Sequence, residues 1–203
     1  MIYSSIQILN RMNSIPKGFV NRTTWEPQAT PLISLDRDSW DKHQLVPWTG
    51  SMEVWAELTI NNVDATGHPF HLVSISGIRA YLCSNHTMRL RPNPQHGFDF
   101  YVIGSYGGNG GWDYYNPFNA SEPPRGGPFN LMNPLLKDTV YVPAWGYTVI
   151  RFLADNEGIW ALHCHILWHQ GSGMSMAIQV LGDEHTGMRD TPSGISAKNQ
   201  CQV

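Results

Sequence analysis

Residues 160–174 read WALHCHILWHQGSGM, a stretch dense in side chains that bind metal ions. Those side chains are His163, Cys164, His165, His169 and Met174. On a strand, successive side chains point to opposite faces. The spacing therefore predicts that Cys164 lies on one face while both neighbouring histidines lie on the other, so that one short segment can contribute to two metal sites.

A cysteine thiolate, imidazoles and a weak thioether together form the ligand set of a blue-copper centre. Cys164, His169 and Met174 fit that set, at intervals of five and five residues. The second imidazole must come from another strand, and the upstream run GHPFH offers His68 and His71, of which His68 is the better candidate. Structural zinc is the main alternative, but zinc sites generally draw on paired ligands at fixed spacing. The pattern favours copper over zinc.

Short runs rich in β-branched and aromatic residues recur along the chain and predict strands. These runs are residues 54–60, 98–103, 139–142, 147–153 and 175–181. No segment has a sustained helical period. Residues 104–138 are rich in glycine and proline, which predicts a long surface loop. The fold class indicated is an all-β sandwich or barrel with long Gly/Pro-rich loops.

The composition limits the possible partners. The chain has 203 residues, 41% of them hydrophobic, which suits one large domain with a buried core. Its 13 basic and 16 acidic residues give a net charge of −3, so nothing electrostatic favours a nucleic-acid partner. No run approaches the roughly 20 apolar residues that cross a bilayer. We expect no membrane span, and the start of the chain makes a poor secretory signal.

The runs HPFHL (residues 68–72) and HCHILWHQGSGM (residues 163–174) resemble the C-terminal copper motifs of multicopper oxidases, specifically laccase-like enzymes of the fungal type. The resemblance extends from about residue 19 to residue 181. It implies a cupredoxin-like Greek-key domain, the third of three in that family. We accordingly expect an N-terminal extension (1–18), the cupredoxin domain (19–182) and a polar C-terminal tail (183–203).

The resemblance implies a role for each candidate ligand. His68, Cys164 and His169 match type 1 copper ligands, with Met174 in the axial position, and these four would carry the electron transfer. Among the remaining histidines, His71 matches a type 2 ligand, and His163 and His165 match type 3 ligands. The implied cofactor is copper, as a type 1 site and half of a trinuclear cluster.

One position departs from the family motif. That motif continues HPxHLHG, but the third histidine is replaced here by Val73. Deleting residues 73–95 restores HPFHLHGFDFYVIGS and makes His96 the missing type 3 ligand. The 23 deleted residues correspond to 69 nucleotides, beginning Val-Ser and ending in Gln, which the consensus ends of a spliceosomal intron can encode. We interpret residues 73–95 as a translated intron, with a genuine insertion as the alternative.

A second departure concerns the other half of the trinuclear cluster. The two His-x-His pairs that the family's first domain contributes have no counterpart in this chain. The expected parent is a laccase-like oxidase that passes electrons from phenolic or aromatic compounds to O2, typically secreted, with N-terminal cupredoxin domains that this chain lacks. The chain alone is not expected to be a competent oxidase. A single-domain blue-copper electron carrier and a non-functional gene fragment are the alternatives.

Overall fold

The computed structural model describes residues 1–7, 16–74, 98–109, 111, 113–190, 194–195 and 199. Within them lie ten strands: β1 (Ile2–Gln7), β2 (Lys17–Val20), β3 (Val54–Asn62), β4 (His68–Ser74), β5 (Phe100–Tyr106), β6 (Leu135–Lys137), β7 (Thr139–Val142), β8 (Tyr147–Ala154), β9 (Gly158–Cys164) and β10 (Ser175–Val180). The helical elements are α1 (Leu167–Gly171) and two short 3₁₀ turns, Leu32–Ser34 and Arg37–Ser39, and the described residues 194–195 and 199 are also helical.

The strands form two sheets that pack face to face. One sheet has six strands in the order β2-β1-β3-β8-β5-β6, and the other has four in the order β10-β9-β4-β7. Neighbouring strands are antiparallel except β1 and β3, which run parallel. Side chains from both inner faces fill the space between the sheets. The all-β sandwich predicted from the sequence is confirmed.

The side chains of strand β9 alternate between two hydrophobic clusters, one on each face of the four-stranded sheet. Trp160, Leu162 and Cys164 belong to the main core between the sheets. Ile159 belongs instead to a second cluster on the outer face of the four-stranded sheet, where Leu32 and other residues of the segment before β3 pack. Because both faces of β9 are covered, all seven of its residues are buried. Its near-continuous apolar sequence follows from that double burial.

Strand β4 lies beside β9 and is divided in the same way. Phe70 and Leu72 are fully buried in the main core. By the alternation of side chains along a strand, His68 shares their face, whereas His71 and Val73 lie on the opposite face. The register pairs Phe70 with Cys164 and His71 with His163. Each face of this strand pair therefore carries its own set of histidines.

The segment predicted as one long loop is partly sheet, so that prediction is wrong at both ends. Strand β5 continues to Tyr106, and residues 135–137 form edge strand β6, which pairs with β5. Glycine and proline are concentrated between these strands, and Leu135–Lys137 contains neither. The described residues between the two strands lie outside both sheets.

The ends of the chain also contact the sandwich. Strand β1 joins the six-stranded sheet, although residues 1–18 were expected to be an extension. In the tail, the Gln179 side chain donates to the carbonyl oxygens of Asp183 and Gly187. Among the described residues, no helix is both long enough and apolar enough to cross a bilayer. Residues 75–95 and His96 lie outside the described part of the chain.

Candidate metal site

Three buried donor atoms converge at one end of the main core. His68 comes from the start of β4, Cys164 from the end of β9 and His169 from helix α1. The two Nδ1 atoms of the histidines are 3.1 Å apart. The Cys164 Sγ lies 3.8 Å from the His68 Nδ1 and 3.5 Å from the His169 Nδ1. All three side chains are at least 97% buried, so the converging atoms are withdrawn from solvent.

The size of this triangle fits a transition-metal ion. A point equidistant from three atoms with those separations lies about 2.0 Å from each of them. Typical metal–nitrogen distances are about 2.0–2.1 Å and metal–sulfur distances about 2.3 Å. One ion can therefore contact all three atoms with only a slight outward movement of the sulfur. A trigonal set of two imidazoles and one thiolate is the arrangement found in blue-copper sites.

Asp64 orients the His68 ring from outside the triangle. Its Oδ2 atom lies 2.7 Å from the His68 Nε2 and also accepts the backbone N–H of Ile6 at 2.7 Å. A carboxylate only accepts hydrogen bonds, so the His68 Nε2 is the donor in this contact, and Nδ1 is the ring nitrogen directed at the triangle. Such a carboxylate partner fixes the tautomer and raises the basicity of a metal-binding imidazole.

Sequence reasoning did not identify Asp64. The available signal was an acidic residue four positions before a candidate ligand, on the turn that leads into β4. That signal is weak, because acidic residues are common in turns.

Replacing Asp64 by alanine is expected to weaken copper binding by about 10- to 100-fold, the usual cost of losing a partner behind a metal-binding histidine. Asp64→Asn keeps an oxygen acceptor but loses the charge, so we expect an intermediate affinity. Isothermal titration with a competing chelator would measure both. Asp138→Ala is the matched control, because Asp138 approaches His71 on the other face of β4. Equal losses in the Asp64 and Asp138 variants would contradict the assigned role of Asp64.

Backbone hydrogen bonds connect Cys164 to Met174 and Met174 to His169. The Cys164 N–H donates to the Met174 carbonyl at 3.0 Å, and the Met174 N–H donates to the His169 carbonyl at 2.9 Å. Gly173 has a φ of +100°, a conformation open to glycine but strained for other residues. A Cβ atom there would also lie 2.4 Å from the Thr24 side chain. The turn after α1 therefore returns the chain to β9 and holds the backbone of Met174, whose side chain is fully buried, against Cys164 and His169.

Burial sets the charge state of the candidate ligands in the metal-free chain. It raises the pKa of the Cys164 thiol to about 11. Burial, with the nearby His68 as a smaller cause, lowers the pKa of His169 below its ordinary value. Both shifts disfavour charge in the core. His169 is therefore in its neutral, metal-binding form near neutral pH, while the thiol must release a proton when a metal binds.

A second group of histidines lies on the outer face of the four-stranded sheet. The ring centroids of His71, His163 and His165 are separated by 5.4, 5.6 and 5.8 Å. His163 is 95% buried, and burial lowers its pKa. Its Nδ1 lies 3.0 Å from the Cys164 carbonyl oxygen, so it donates there and leaves Nε2 as the possible ligand atom.

The two groups adjoin through consecutive residues of β9. Cys164 faces the core and His163 faces the opposite side, which is the alternation expected from the sequence. The structure thus brings His68, Cys164 and His169 together, and separately brings His71, His163 and His165 together. The backbone of Met174 is hydrogen-bonded to Cys164 and His169 of the first group, and His96 is outside the described residues.

A two-sheet sandwich with a buried triangle of one cysteine and two imidazoles at the end of its core is typical of a cupredoxin-like domain. Comparison with known families agrees, since a family model described as multicopper oxidase matches residues 80–184. This chain belongs to the multicopper oxidase family.

Several plant laccases are similar to this chain. Rice laccase-4 (Oryza sativa subsp. japonica) is 43% identical over 97 residues, covering 48% of this chain and 15% of that protein. Laccase-17 of Arabidopsis thaliana is 35% identical over 141 residues, covering 69% of this chain and 18% of that protein. These relatives support a laccase-like domain but not the fungal subtype that the resemblance implied. The chain spans less than a fifth of either protein.

Solved structures show the same fold. The multicopper oxidase Fet3p, described as functioning in iron import, matches all of this chain and 35% of its own, with a TM-score of 0.64 and 21% identity. A laccase from Botrytis aclada matches 98% of this chain and 31% of its own, with a TM-score of 0.59 and 21% identity. The fold class predicted from the sequence, a cupredoxin-like β-sandwich, is therefore confirmed.

Proposed function

We propose that the chain is the C-terminal copper domain of a laccase-like multicopper oxidase, with type 1 copper held by His68, Cys164 and His169. The observation that carries this proposal is the buried triangle of two imidazole nitrogens and one sulfur, whose size fits one metal ion. Met174 is the axial candidate, because its backbone is hydrogen-bonded to both Cys164 and His169. Copper in such a site supplies one-electron transfer.

Copper is preferred to zinc because of the ligand set. Closed zinc sites use four tetrahedral ligands, usually with more than one cysteine. Here one thiolate and two imidazoles form the described donor set, and the backbone of the neighbouring Met174 is hydrogen-bonded to Cys164 and His169. Methionine is the axial ligand of blue-copper sites and is not among the usual ligands of zinc.

The outer histidines are proposed to form half of a trinuclear copper cluster. His71 takes the type 2 role, and His163 and His165 take type 3 roles, with His96 as a further type 3 ligand. Their close spacing supports this assignment. Cys164 is the covalent neighbour of both His163 and His165, so the backbone of β9 provides a short path between the two groups.

The whole reaction belongs to a longer parent protein in this proposal. There, electrons from phenolic or aromatic compounds reach O2 and reduce it to water, and neighbouring cupredoxin domains supply the other half of the cluster. This chain has one His-x-His pair, at residues 163 and 165, whereas a complete cluster in this family needs further pairs. The chain alone is accordingly expected to bind copper without consuming O2.

Copper titration of the purified metal-free chain tests the proposal. We expect one tightly bound copper ion, an intense blue absorption band and the narrow hyperfine splitting of a type 1 site in its electron paramagnetic resonance spectrum. An oxygen electrode with hydroquinone as reductant is expected to show no uptake above that of free copper. Colourless binding of copper would contradict the type 1 assignment. Copper-dependent O2 uptake by this chain would contradict its description as an incomplete part of an oxidase.

A further inference from the structure

A groove lies on the outer face of the six-stranded sheet, across the core from the outer histidines. We call it the outer groove, a cavity of about 620 Å³. Its floor is formed by Trp55 and Glu57 of β3, Arg151 of β8 and Tyr101 of β5, and its wall by Leu131 and Pro134. Arg151 is the register partner of Glu57 on one side and of Tyr101 on the other. The central floor residues therefore form one row across three adjacent strands.

The wall of the outer groove is anchored to the sheet. The Asn130 N–H donates to the Ile103 carbonyl at 2.8 Å. Phe129 packs directly over Gly104, where a Cβ atom would lie 2.6 Å from the phenylalanine ring. These contacts fix the segment that carries Leu131, so the groove is formed before any ligand binds. A preformed concave site of several hundred Å³ is typical of small-molecule binding.

The groove presents aromatic surface to solvent. The Trp55 side chain is 59% exposed although its backbone lies within a sheet. Its ring centroid is 6.2 Å from that of Tyr101, with the two planes inclined at 41°. Leu131, on the wall, is 58% exposed. A contiguous exposed apolar surface of this kind marks an interaction site more often than a random feature of the surface.

An ion pair supplies the polar chemistry of the groove. The Arg151 Nη2 donates to the Glu57 Oε2 at 2.8 Å, and both side chains are about one-third exposed. A guanidinium group has five N–H donors and a carboxylate has two acceptor oxygens. The pair therefore has donors and acceptors left for a ligand, while its net charge is zero.

We propose that the outer groove binds a neutral oligosaccharide. The C–H bonds on the face of a sugar ring carry a slight positive charge and pack against the negative face of an aromatic ring such as that of Trp55. Adjacent hydroxyl groups at the ring edge can accept from Arg151 and donate to Glu57 at the same time. Because the net charge of the pair is zero, the groove has no electrostatic preference for an ionised ligand, and a simple phenol would use the aromatic surface but little of the paired donors and acceptors.

Binding of cellotetraose to the full copper-free chain tests this proposal, with isothermal titration calorimetry for affinity and the indole N–H resonance of Trp55 for location. Trp55→Ala and Arg151→Gln are each expected to weaken binding by about tenfold or more, as loss of a central contact does at other binding sites. Trp55→Phe retains an aromatic face and should bind within about threefold of the original chain. Phe118→Ala is the matched control, because Phe118 is 82% exposed and lies outside the groove.

Several outcomes would overturn the proposal. One is the absence of saturable binding at millimolar cellotetraose by a chain whose spectrum shows it to be folded. Another is saturable binding of hydroquinone, but not of the saccharide, at the Trp55 resonance. A third is a dimer in sedimentation analysis that Trp55→Ala dissociates, which would identify the groove as a contact between copies of the chain. None of these measurements uses copper, so they are independent of the proposed oxidase function.

Discussion

Cys164→Ser is expected to abolish the blue colour of the copper-loaded chain and to weaken copper binding by more than about 100-fold. This loss is larger than the roughly 10- to 100-fold typical of removing a residue that only hydrogen-bonds to a metal ligand, because Cys164 is itself a ligand. The blue band requires a thiolate bound to copper, and a serine hydroxyl is a harder, far less acidic ligand. The substituted oxygen would occupy the fully buried corner of the triangle, 3.5 Å from the His169 Nδ1 in the present geometry. Absorption spectroscopy during copper titration measures the change.

A control variant separates the role of Cys164 from a general loss of folding. His165→Ala removes an exposed ring from the outer group of histidines and should leave the blue band unchanged. Circular dichroism would verify that both variants retain the sandwich. If the serine variant stayed blue, or if His165→Ala lost the colour, the assignment of separate metal sites to the two faces would be wrong.

Deletion of residues 73–95 is expected to preserve the sandwich and to complete the outer group of histidines. In the pairing of β4 with β9, Val73 is opposite Ala161 and His71 is opposite His163, so Val73 lies two positions after His71 on β4. The deletion places His96 in the position of Val73, on the same face as His71. Deleting 23 residues that belong to the core of a small domain would normally unfold it. Retention of the folded structure therefore tests whether residues 73–95 belong to the domain.

The structure supports closure of the shortened chain. Ser74, the last residue of β4, pairs with Trp160. The Phe98 ring packs on Trp160 with centroids 4.6 Å apart. After the deletion, Gly97 would take the position of Ser74 and Phe98 would follow it directly. The Phe98 side chain therefore already packs on Trp160, the register partner of the strand position that Gly97 would take.

Two measurements on the deletion variant follow from this geometry. Its thermal midpoint should be no lower than that of the original chain, because a shorter connection costs less loop-closure entropy. Zinc, a redox-inactive probe, should bind its outer histidines about tenfold more tightly, equivalent to about 1.4 kcal/mol. The same deletion carrying His96→Ala is the control and should lose that gain. Unfolding of the deletion variant would show that residues 73–95 belong to the fold.

The transcript provides an independent test of the same hypothesis. The family match includes residues 80–95, which belong to the segment interpreted as a translated intron, so the encoding RNA directly tests whether that segment is part of the protein. Full-length transcripts are expected to lack the 69 nucleotides that encode residues 73–95. Their presence in every transcript would favour a genuine insertion between β4 and β5.

Much of the fold could be predicted from local sequence. Runs of β-branched and aromatic residues identified strands such as β7 and β8, because those residues favour extended backbone. Edge strand β6 was missed, since Leu135–Lys137 is three residues long and follows a segment rich in glycine and proline. Its strand character depends on pairing with β5, which no local pattern reports.

The sequence by itself determined that the side chain of Cys164 lies on one face of the sheet and those of its two neighbouring histidines on the other, because alternation along a strand is a property of the backbone. Only the tertiary structure decided which distant groups meet them. His68 reaches Cys164 because β4 pairs with β9, and His169 reaches both because helix α1 and the turn at Gly173 fold back on the strand. Asp64 is only four residues from His68, but its carboxylate is also held by the backbone N–H of the distant Ile6, and the outer groove depends on the register of three adjacent strands.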